Sequence, residues 1–235
     1  MPRLLRSLYE RLVLRLNSRS ALYENGERID IDLNARPRYA LMDMYQKSHY
    51  QRYLFAKRYV RPGMVCGDFA CGSGYGSALL AQTAARVTAV DIKPHVIDAV
   101  ASRYANLHNV EFICHDLRSI VFDKIYDLIV SFETVEHVEE PDVAGLFRNF
   151  ARALKNGGIL IFSTPYLQPR TRAAVEMGFH HVFDIDEAKI RTWLAQAGLF
   201  PERFFYQNYE SHEVVESLPD KAIVVCVAKR TEDTA

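Results

Sequence analysis

The chain has 235 residues, of which 49% are hydrophobic, and this is enough to bury one large core. Its 29 basic and 29 acidic residues give a formal net charge of +0, so we expect no long phosphate-binding surface and no nucleic-acid partner. No stretch approaches the ~20 apolar residues of a membrane-spanning helix. The N-terminus carries scattered arginines where a secretory signal would have an uninterrupted apolar region, and we therefore predict a cytoplasmic protein.

The four cysteines support the same compartment. Cys66, Cys71, Cys114 and Cys226 lie in or beside apolar, strand-like runs, and no two of them form a C-x-x-C pair. This pattern predicts buried free thiols in a reducing environment and makes a zinc site improbable.

Residues 1–60 differ from the rest of the chain and are predicted to form a helical extension. Four leucines, Leu4, Leu8, Leu12 and Leu16, repeat at helical spacing among several arginines. Such a basic helix can lie on an anionic membrane surface, or it can cap the domain or pair with a second subunit, and we favour the second interpretation. A polar loop is expected from about residue 17 to 37, followed by an amphipathic, aromatic-rich helix over 39–59.

From about residue 60 onward, short β-branched runs alternate with amphipathic segments, which is typical of a parallel sheet with helices on both faces. The helix near 142–154 is followed by Lys155-Asn156-Gly157-Gly158, a strong signal for helix termination. The predicted strands are 64–69, 86–91, 110–114, 126–132, 158–163, 200–207 and 221–229. The other predicted helices are 74–84, 94–104 and 186–197. We expect one domain over residues 61–235.

The most informative segment is the glycine-dense turn that follows the first predicted strand, Asp68-Phe69-Ala70-Cys71-Gly72-Ser73-Gly74-Tyr75-Gly76. Small residues let a backbone approach a ligand closely, and the helix that follows presents free N–H groups to it. A carboxylate at the mouth of the turn repels a pyrophosphate and attracts an ammonium group. The pattern therefore favours an amino-acid-like cofactor over a dinucleotide.

This segment resembles the first motif of class I S-adenosylmethionine-dependent methyltransferases, with Ala70 where the first glycine usually stands. The resemblance implies a Rossmann-like, doubly wound α/β fold with a seven-stranded, mostly parallel sheet whose last strand is antiparallel. It also implies that the 39–59 helix closes over the cofactor. The alanine is interpreted as a mild change because it is still small.

The resemblance also assigns the residues that bind S-adenosylmethionine. Asp68 accepts from the methionine ammonium, and Ala70, Gly72 and Gly74 allow close approach. Asp91 accepts both ribose hydroxyls. The remaining predicted cofactor contacts are Asp116 at the adenine amino group, Ile92 and Leu117 against the ring, and Tyr75, Phe132 and Arg52.

NAD binding is a minor alternative. Gly72, Gly74 and Gly76 with an acid at position 91 superficially resemble a dinucleotide fingerprint. The third glycine comes one residue too soon for G-x-G-x-x-G, and Asp68 also argues against this alternative.

A second group of candidate residues follows the fourth predicted strand. Glu133, Glu136 and His137 share one face if a helical turn begins there, and His181 lies in the loop after the fifth strand. The pattern is similar to that of ubiquinone-pathway O-methyltransferases and small-RNA 2′-O-methyltransferases, where a metal holds neighbouring hydroxyls. It implies Mg²⁺ or Mn²⁺ as a possible second cofactor. Without a metal, His137 or His181 is the better general base, with Glu133 as the third candidate catalytic residue.

The acceptor is predicted from a broader resemblance that covers most of residues 38–200. The segments His49–Ala56 and Phe162–Tyr166 look like those of bacterial methyltransferases associated with surface polysaccharide assembly. A sugar hydroxyl of a glycan or activated sugar is the first prediction. It places the enzyme peripherally at the inner membrane face if the basic helix binds lipid. A quinone-type phenol or another small metabolite, and a cofactor-binding scaffold without turnover, are the alternatives.

Overall fold

The computed structural model describes residues 29–34, 38–178 and 180–231 of the chain. The described residues form a seven-stranded sheet in the order β3-β2-β1-β4-β5-β7-β6. Strands β1 to β5 pair in parallel, whereas β7 is inserted between β5 and β6 and is antiparallel to both. The strands are β1 Val65–Phe69, β2 Arg86–Asp91, β3 Val110–Cys114, β4 Tyr126–Phe132, β5 Leu154–Pro165, β6 Leu199–Gln207 and β7 Ile223–Arg230. The predicted fold and the antiparallel last strand are confirmed.

Helices cover both faces of the sheet because successive strand residues point to opposite sides. In β4, Leu128 and Val130 pack with Tyr53 and Leu80 on one face, while Ile129 packs with Phe147 on the other. The α-helices are α1 Met44–Lys57, α2 Tyr75–Ala81, α3 Pro94–Arg103, α4 Glu140–Ala153, α5 Arg172–Met177 and α6 Glu187–Gln196. No described helix is both long enough and apolar enough to cross a membrane.

Helix α1 begins at a well-formed cap. The Asp43 side chain accepts a hydrogen bond from the Gln46 backbone N–H, and the Gln46 side chain accepts one from the Asp43 backbone N–H. This reciprocal pair satisfies two of the N–H groups that a helix start leaves without a partner. The aromatic-rich segment therefore forms a short 3₁₀ turn, Tyr39–Leu41, and a separate helix, where one helix over 39–59 was expected.

Three predictions about other segments need correction or remain open. Strand β5 begins at Leu154 and not at Gly158, because Gly157 adopts φ +70° inside an irregular start of the strand instead of capping α4. Cys66, Cys71 and Cys226 are buried and free as predicted, but Cys114 is exposed. The short helix α5 was not predicted, and the basic helix at the N-terminus lies outside the described residues.

Gly76 fixes the contact between α1 and α2. A Cβ atom at this position would lie 2.0 Å from two ring atoms of Tyr53, which is itself buried. We expect Gly76→Ala to lower the free energy of unfolding by about 1–3 kcal/mol, because the Tyr53 ring must shift within a packed core. Chemical denaturation of both proteins measures the difference.

Gly145→Ala is the matched control, since Gly145 also lies within a helix but its Cβ would meet nothing closer than 3.7 Å. We expect this change to raise stability by about 0.5–1 kcal/mol through helix propensity. Equal effects of the two substitutions would contradict the proposed role of Gly76.

Candidate cofactor-binding and active site

A cavity of about 370 Å³ opens at the carboxyl ends of β1, β2 and β4. In open α/β sheets this edge is where ligands bind, because the strand order reverses there. The residues that line it come from segments far apart in the chain, and include Ile29, Tyr53, Ala70, Gly72, Asp91, Leu117, Phe132, Glu133 and His137.

The turn after β1 is held in left-handed backbone conformations. Ala70 has φ +66°, Gly72 +53° and Gly74 +73°. For a residue with a side chain this conformation costs about 1–2 kcal/mol, so the alanine is more than the mild change that its small size suggested. Gly74 was expected to allow close approach of the ligand, but it does not line the cavity. A Cβ atom added to Gly74 would lie 3.2 Å from side-chain atoms of Val100 and Tyr104.

Asp91 stands at the end of β2, where the sequence places a ribose contact. Its two carboxylate oxygens accept hydrogen bonds from the backbone N–H groups of Gly72 (3.1 Å) and Lys93 (3.0 Å), and it lines the cavity. These two backbone donors fix the orientation of the side chain at the edge of the cavity. The acid is therefore orientated before any ligand arrives.

The residues predicted for adenine lie together at the far end of the same cavity. Ile92, which is 53% exposed, and buried Leu117 offer apolar surfaces. Asp116 also lines the cavity, and its carboxylate pairs with Arg118 at 2.6 Å. This hydrogen-bonded pairing with Arg118 lowers the pKa of Asp116, which keeps it ionised as a hydrogen-bond acceptor.

Asp68, the predicted ammonium ligand, lies behind the cavity wall. It is fully buried, and its two oxygens accept from the Tyr53 hydroxyl (2.9 Å) and the Ser77 hydroxyl (2.6 Å). Burial raises the pKa of Asp68 to about 6 despite these two hydrogen bonds. Tyr53 lines the cavity, with its ring against Tyr75 and Phe132, and so lies between the acid and the ligand space.

Arg52 is fully buried and only partly paired. Its Nη1 donates to the side-chain oxygen of Gln207 at 2.7 Å, while Nε and Nη2 have no hydrogen-bond partner among the described residues. The buried Tyr75 hydroxyl is also without a partner, and the charge of Arg52 opposes the rise in the pKa of Tyr75 that burial causes. Because buried donors without partners are rare in proteins, the Arg52 guanidinium and the Tyr75 hydroxyl are candidates for contact with a ligand.

A cluster of three potential metal ligands lies beside the cavity. One ligand atom each of Glu136, His137 and His180 lies within 4.8 Å of the others. The histidine from the second loop is therefore His180 and not the predicted His181, whose Nδ1 pairs with Glu139 at 3.0 Å. Two adjacent histidines cannot be distinguished from sequence, since only the path of the loop decides which one turns inward.

The loop is placed by backbone contacts to Glu136. The N–H groups of His181 and Val182 both donate to the Glu136 carbonyl, at 2.7 and 3.2 Å. The Glu136 carboxylate accepts from Thr164 at 3.0 Å, and burial together with the charge of Glu133 raises the pKa of Glu136 well above its usual value. Burial and neighbouring His137 lower the pKa of His180 to about 4, which keeps that imidazole neutral.

Glu133 is separate from this cluster. Its backbone has φ +49°, and its side chain accepts from the Ser163 hydroxyl at 2.6 Å while lining the cavity. The four predicted metal ligands are therefore divided, with Glu133 on the cofactor side. His137 belongs to both regions, because it lines the cavity and also belongs to the cluster.

Several residues of the site were missed by sequence reasoning. Ser77 and Tyr53 hold Asp68, while His49 and Ile29 line the cavity. The available signal was helical spacing, since His49 and Tyr53 are four residues apart and share one face of α1. Burial, with a smaller effect of Arg52, lowers the pKa of His49 well below its usual value.

Comparison with known proteins agrees with this geometry. Residues 67–162 match the family model for a methyltransferase domain. A ubiquinone biosynthesis O-methyltransferase of Xanthomonas axonopodis pv. citri is 30% identical over 163 residues, covering 61% of this chain and 65% of that protein. A malonyl-[acyl-carrier protein] O-methyltransferase of Acetivibrio thermocellus is 37% identical over 99 residues, covering 41% of this chain and 34% of that protein.

A solved structure shows the same fold. The N-methyltransferase NodS of Bradyrhizobium japonicum WM9, in complex with S-adenosyl-L-homocysteine, has a TM-score of 0.66 at 17% identity, covering 93% of this chain and 98% of that one. The sheet order, the glycine turn and the sequence matches identify a class I S-adenosylmethionine-dependent methyltransferase domain in this chain. The chain spans between a third and two thirds of the length of these two curated relatives.

Proposed function

We propose that the protein binds S-adenosylmethionine in the cavity and transfers its methyl group to an oxygen of the acceptor. The observation that carries this proposal is a pair of opposite buried charges directly behind the cavity lining. Asp68 binds Tyr53, and the charge of Arg52 affects the pKa of His49 and Tyr75, and all three of these partners line the cavity. A ligand that carries both an ammonium and a carboxylate fits these two side chains, and a ribose with a purine fits Asp91, Ile92 and Leu117. A dinucleotide would leave the charged end without a partner.

The hydrogen-bonding state of Arg52 and Asp68 supports binding of the methionine end of the cofactor at these two side chains. Arg52 offers Nε and Nη2, the two donors on one edge of the guanidinium, and this edge matches a carboxylate bidentately. Asp68 accepts from the Tyr53 hydroxyl at 2.9 Å, and Tyr53 lines the cavity. We propose that the ligand ammonium replaces this hydroxyl as the donor to Asp68.

The bound cofactor supplies a methyl group that its sulfonium has already activated. The chain then has to align the acceptor oxygen behind the methyl carbon and assist the loss of its proton. If the cluster holds no metal, His137, which belongs to the cluster and lines the cavity, is the residue best placed to receive that proton. Glu133 lines the same cavity, so it helps to orientate the acceptor hydroxyl.

The second part of the proposal is metal assistance by the cluster. Glu136, His137 and His180 offer one carboxylate oxygen and two imidazole nitrogens, which suit a divalent ion such as Mn²⁺ or Mg²⁺. Such an ion lowers the pKa of a hydroxyl bound to it. The chain's contribution is the fixed spacing of these ligands, because Thr164 donates to the Glu136 carboxylate and the side-chain oxygen of Gln168 accepts from His180 Nδ1 at 2.8 Å.

For the acceptor we propose a sugar hydroxyl, on a glycan or an activated sugar, at a cytoplasmic or peripheral membrane location. Its support is the resemblance of the His49–Ala56 and Phe162–Tyr166 segments to polysaccharide-associated methyltransferases. A quinone-type phenol is the second candidate, because similar curated proteins are named for ubiquinone biosynthesis. A cofactor-binding scaffold without turnover is the third, and the retained Glu136, His137 and His180 cluster argues against it.

Binding of S-adenosylhomocysteine should depend on pH through Asp68. The neutral acid cannot attract the ammonium, so affinity should fall about tenfold for each pH unit below about 6 and level off above it. The sign follows because binding favours the ionised acid and releases a proton. Calorimetry between pH 5 and 8 measures this slope.

The Asp68→Asn protein is the control for that profile. We expect its affinity at pH 7.5 to be about 10- to 100-fold weaker and nearly independent of pH, since no proton is then released from position 68. An unchanged affinity, or an equal slope in the variant, would contradict the assignment of Asp68.

His180 and His181 provide a matched pair for the metal proposal. We expect His180→Ala to weaken Mn²⁺ binding by more than about tenfold, because even second-shell changes cost that much. His181→Ala should leave Mn²⁺ binding unchanged, since that ring pairs with Glu139. Calorimetric titration with MnCl₂ measures both, and equal binding by the two variants would support His137 acting as a base without a metal.

The acceptor class is tested by transfer of a radiolabelled methyl group to cell extracts divided into polysaccharide, lipid and small-molecule pools. Label in the polysaccharide pool or on sugar nucleotides supports the proposal. Label in a quinone-type lipid supports the second candidate. Binding of S-adenosylmethionine with no label in any pool supports the scaffold.

A further inference from the structure

Gln207, the last residue of β6, joins three parts of the molecule through one side-chain amide. Its oxygen accepts from Arg52 Nη1 at 2.7 Å, and its nitrogen donates to the carbonyls of Ser48 (3.0 Å) and His212 (2.6 Å). The residue is fully buried. Every hydrogen bond that this amide makes is thus directed to helix α1 or to the loop that follows β6.

The amide determines which edge of Arg52 remains available. A guanidinium can turn about its long side chain, and each rotamer presents a different pair of N–H groups. Because Gln207 holds Nη1, the donors left without a partner are Nε and Nη2, which share one edge. An amide oxygen is also neutral, so it orientates the guanidinium without cancelling the positive charge.

The rest of the network keeps the amide from turning. Its nitrogen is held by two carbonyls from different segments, so exchanging its oxygen and nitrogen would place an oxygen against two oxygens. His212 has φ +61°, and its ring contacts the Ser48 hydroxyl at 3.1 Å. The loop after β6 is therefore held to α1 in two ways, through the hydrogen bonds of Gln207 and through the contact between His212 and Ser48.

We propose that Gln207 is a positioning residue that sets Arg52 for the carboxylate of the methyl donor. This inference rests on the proposed function, since it presumes that an amino-acid cofactor binds. It adds that recognition of the cofactor carboxylate depends on a residue from β6, which is far along the chain from the glycine turn. Gln207 itself does not line the cavity.

The test compares two ligands that differ by one carboxylate. S-adenosylhomocysteine and its decarboxylated analogue, which keeps the ammonium, thioether and adenosine, are titrated calorimetrically into the full chain. The wild-type protein should prefer the first ligand by about 10- to 100-fold, as expected for hydrogen bonds to a charged group. In Gln207→Met, which removes the oxygen, the preference should fall to about threefold or less.

A second variant keeps the position polar in case the first folds poorly. In Gln207→Glu a carboxylate oxygen still accepts from Arg52, but its negative charge compensates the guanidinium and repels the ligand carboxylate. The preference should again fall to about threefold or less. The readout is the ratio of the two affinities, which a purely structural loss would leave unchanged because both ligands would weaken alike.

Ser48→Ala is the matched control. Ser48 is also buried, and its hydroxyl contacts the ring of His212 and not Arg52. This variant should keep the wild-type preference. A preference lost equally in Ser48→Ala would overturn the inference, because general loosening of α1 would then explain the effect.

The remaining outcomes separate this inference from the proposed function. No binding of S-adenosylhomocysteine by the wild-type protein overturns the proposed function. Wild-type binding with a clear carboxylate preference that both Gln207 variants retain overturns only the role of Gln207. Loss of the preference in both variants and not in Ser48→Ala supports the positioning role.

Discussion

Two buried charges with only neutral partners determine how the site is built. Asp68 accepts from two hydroxyls, and Arg52 donates to one amide. Removing a charge from water is costly unless it is paired and hydrogen-bonded, and neutral partners satisfy that need only in part. Under the proposed function, a zwitterionic ligand completes both pairs at once. The side chains that hold these two charges come from α1, from the helix after the glycine turn and from β6.

The other elements of the fold place acidic and basic side chains around the cavity. Strand β2 ends at Asp91 and β4 ends next to Glu133, so the parallel sheet brings both to one edge. The loop after β5 returns over this edge because its backbone N–H groups bind the Glu136 carbonyl. A ligand lying along the cavity would thus contact apolar groups at one end and the cluster of Glu136, His137 and His180 near the other.

The sequence was sufficient to predict the bounds of an element where one physical rule determined them. The strands β2, β3 and β4 have the predicted bounds because β-branched runs flanked by turn residues leave little choice. The run Lys155–Gly158 was interpreted as a signal that ends the helix, and the helix does end at Ala153. Gly157, with its positive φ, lies instead inside the irregular start of β5, which pairs with β4. Local patterns could not distinguish these two uses of glycine.

Long-range partners could not be predicted. Nothing near Asp68 in the sequence indicates that Tyr53, fifteen residues earlier, supplies a hydroxyl to it, or that Gln207 meets Arg52 across 155 residues. The choice between His180 and His181 likewise depends on how the loop is bound to Glu136. Sequence motifs indicated the class of cofactor, whereas the residues that hold Asp68 and Arg52 in place are brought there by tertiary packing.

The placement of Gln207 at the junction of strand and loop has a consequence for changing what the enzyme modifies. The segment after β6 includes Tyr209, whose ring packs edge-on against Tyr45 of α1. Exchanging this segment for that of a relative is an obvious way to redesign specificity. If Gln207 positions Arg52 as proposed, a graft that replaces the glutamine, or that moves the His212 carbonyl bound to it, would change recognition of the methyl donor together with that of the acceptor. Successful chimaeras should keep the strand end and vary only the residues beyond it.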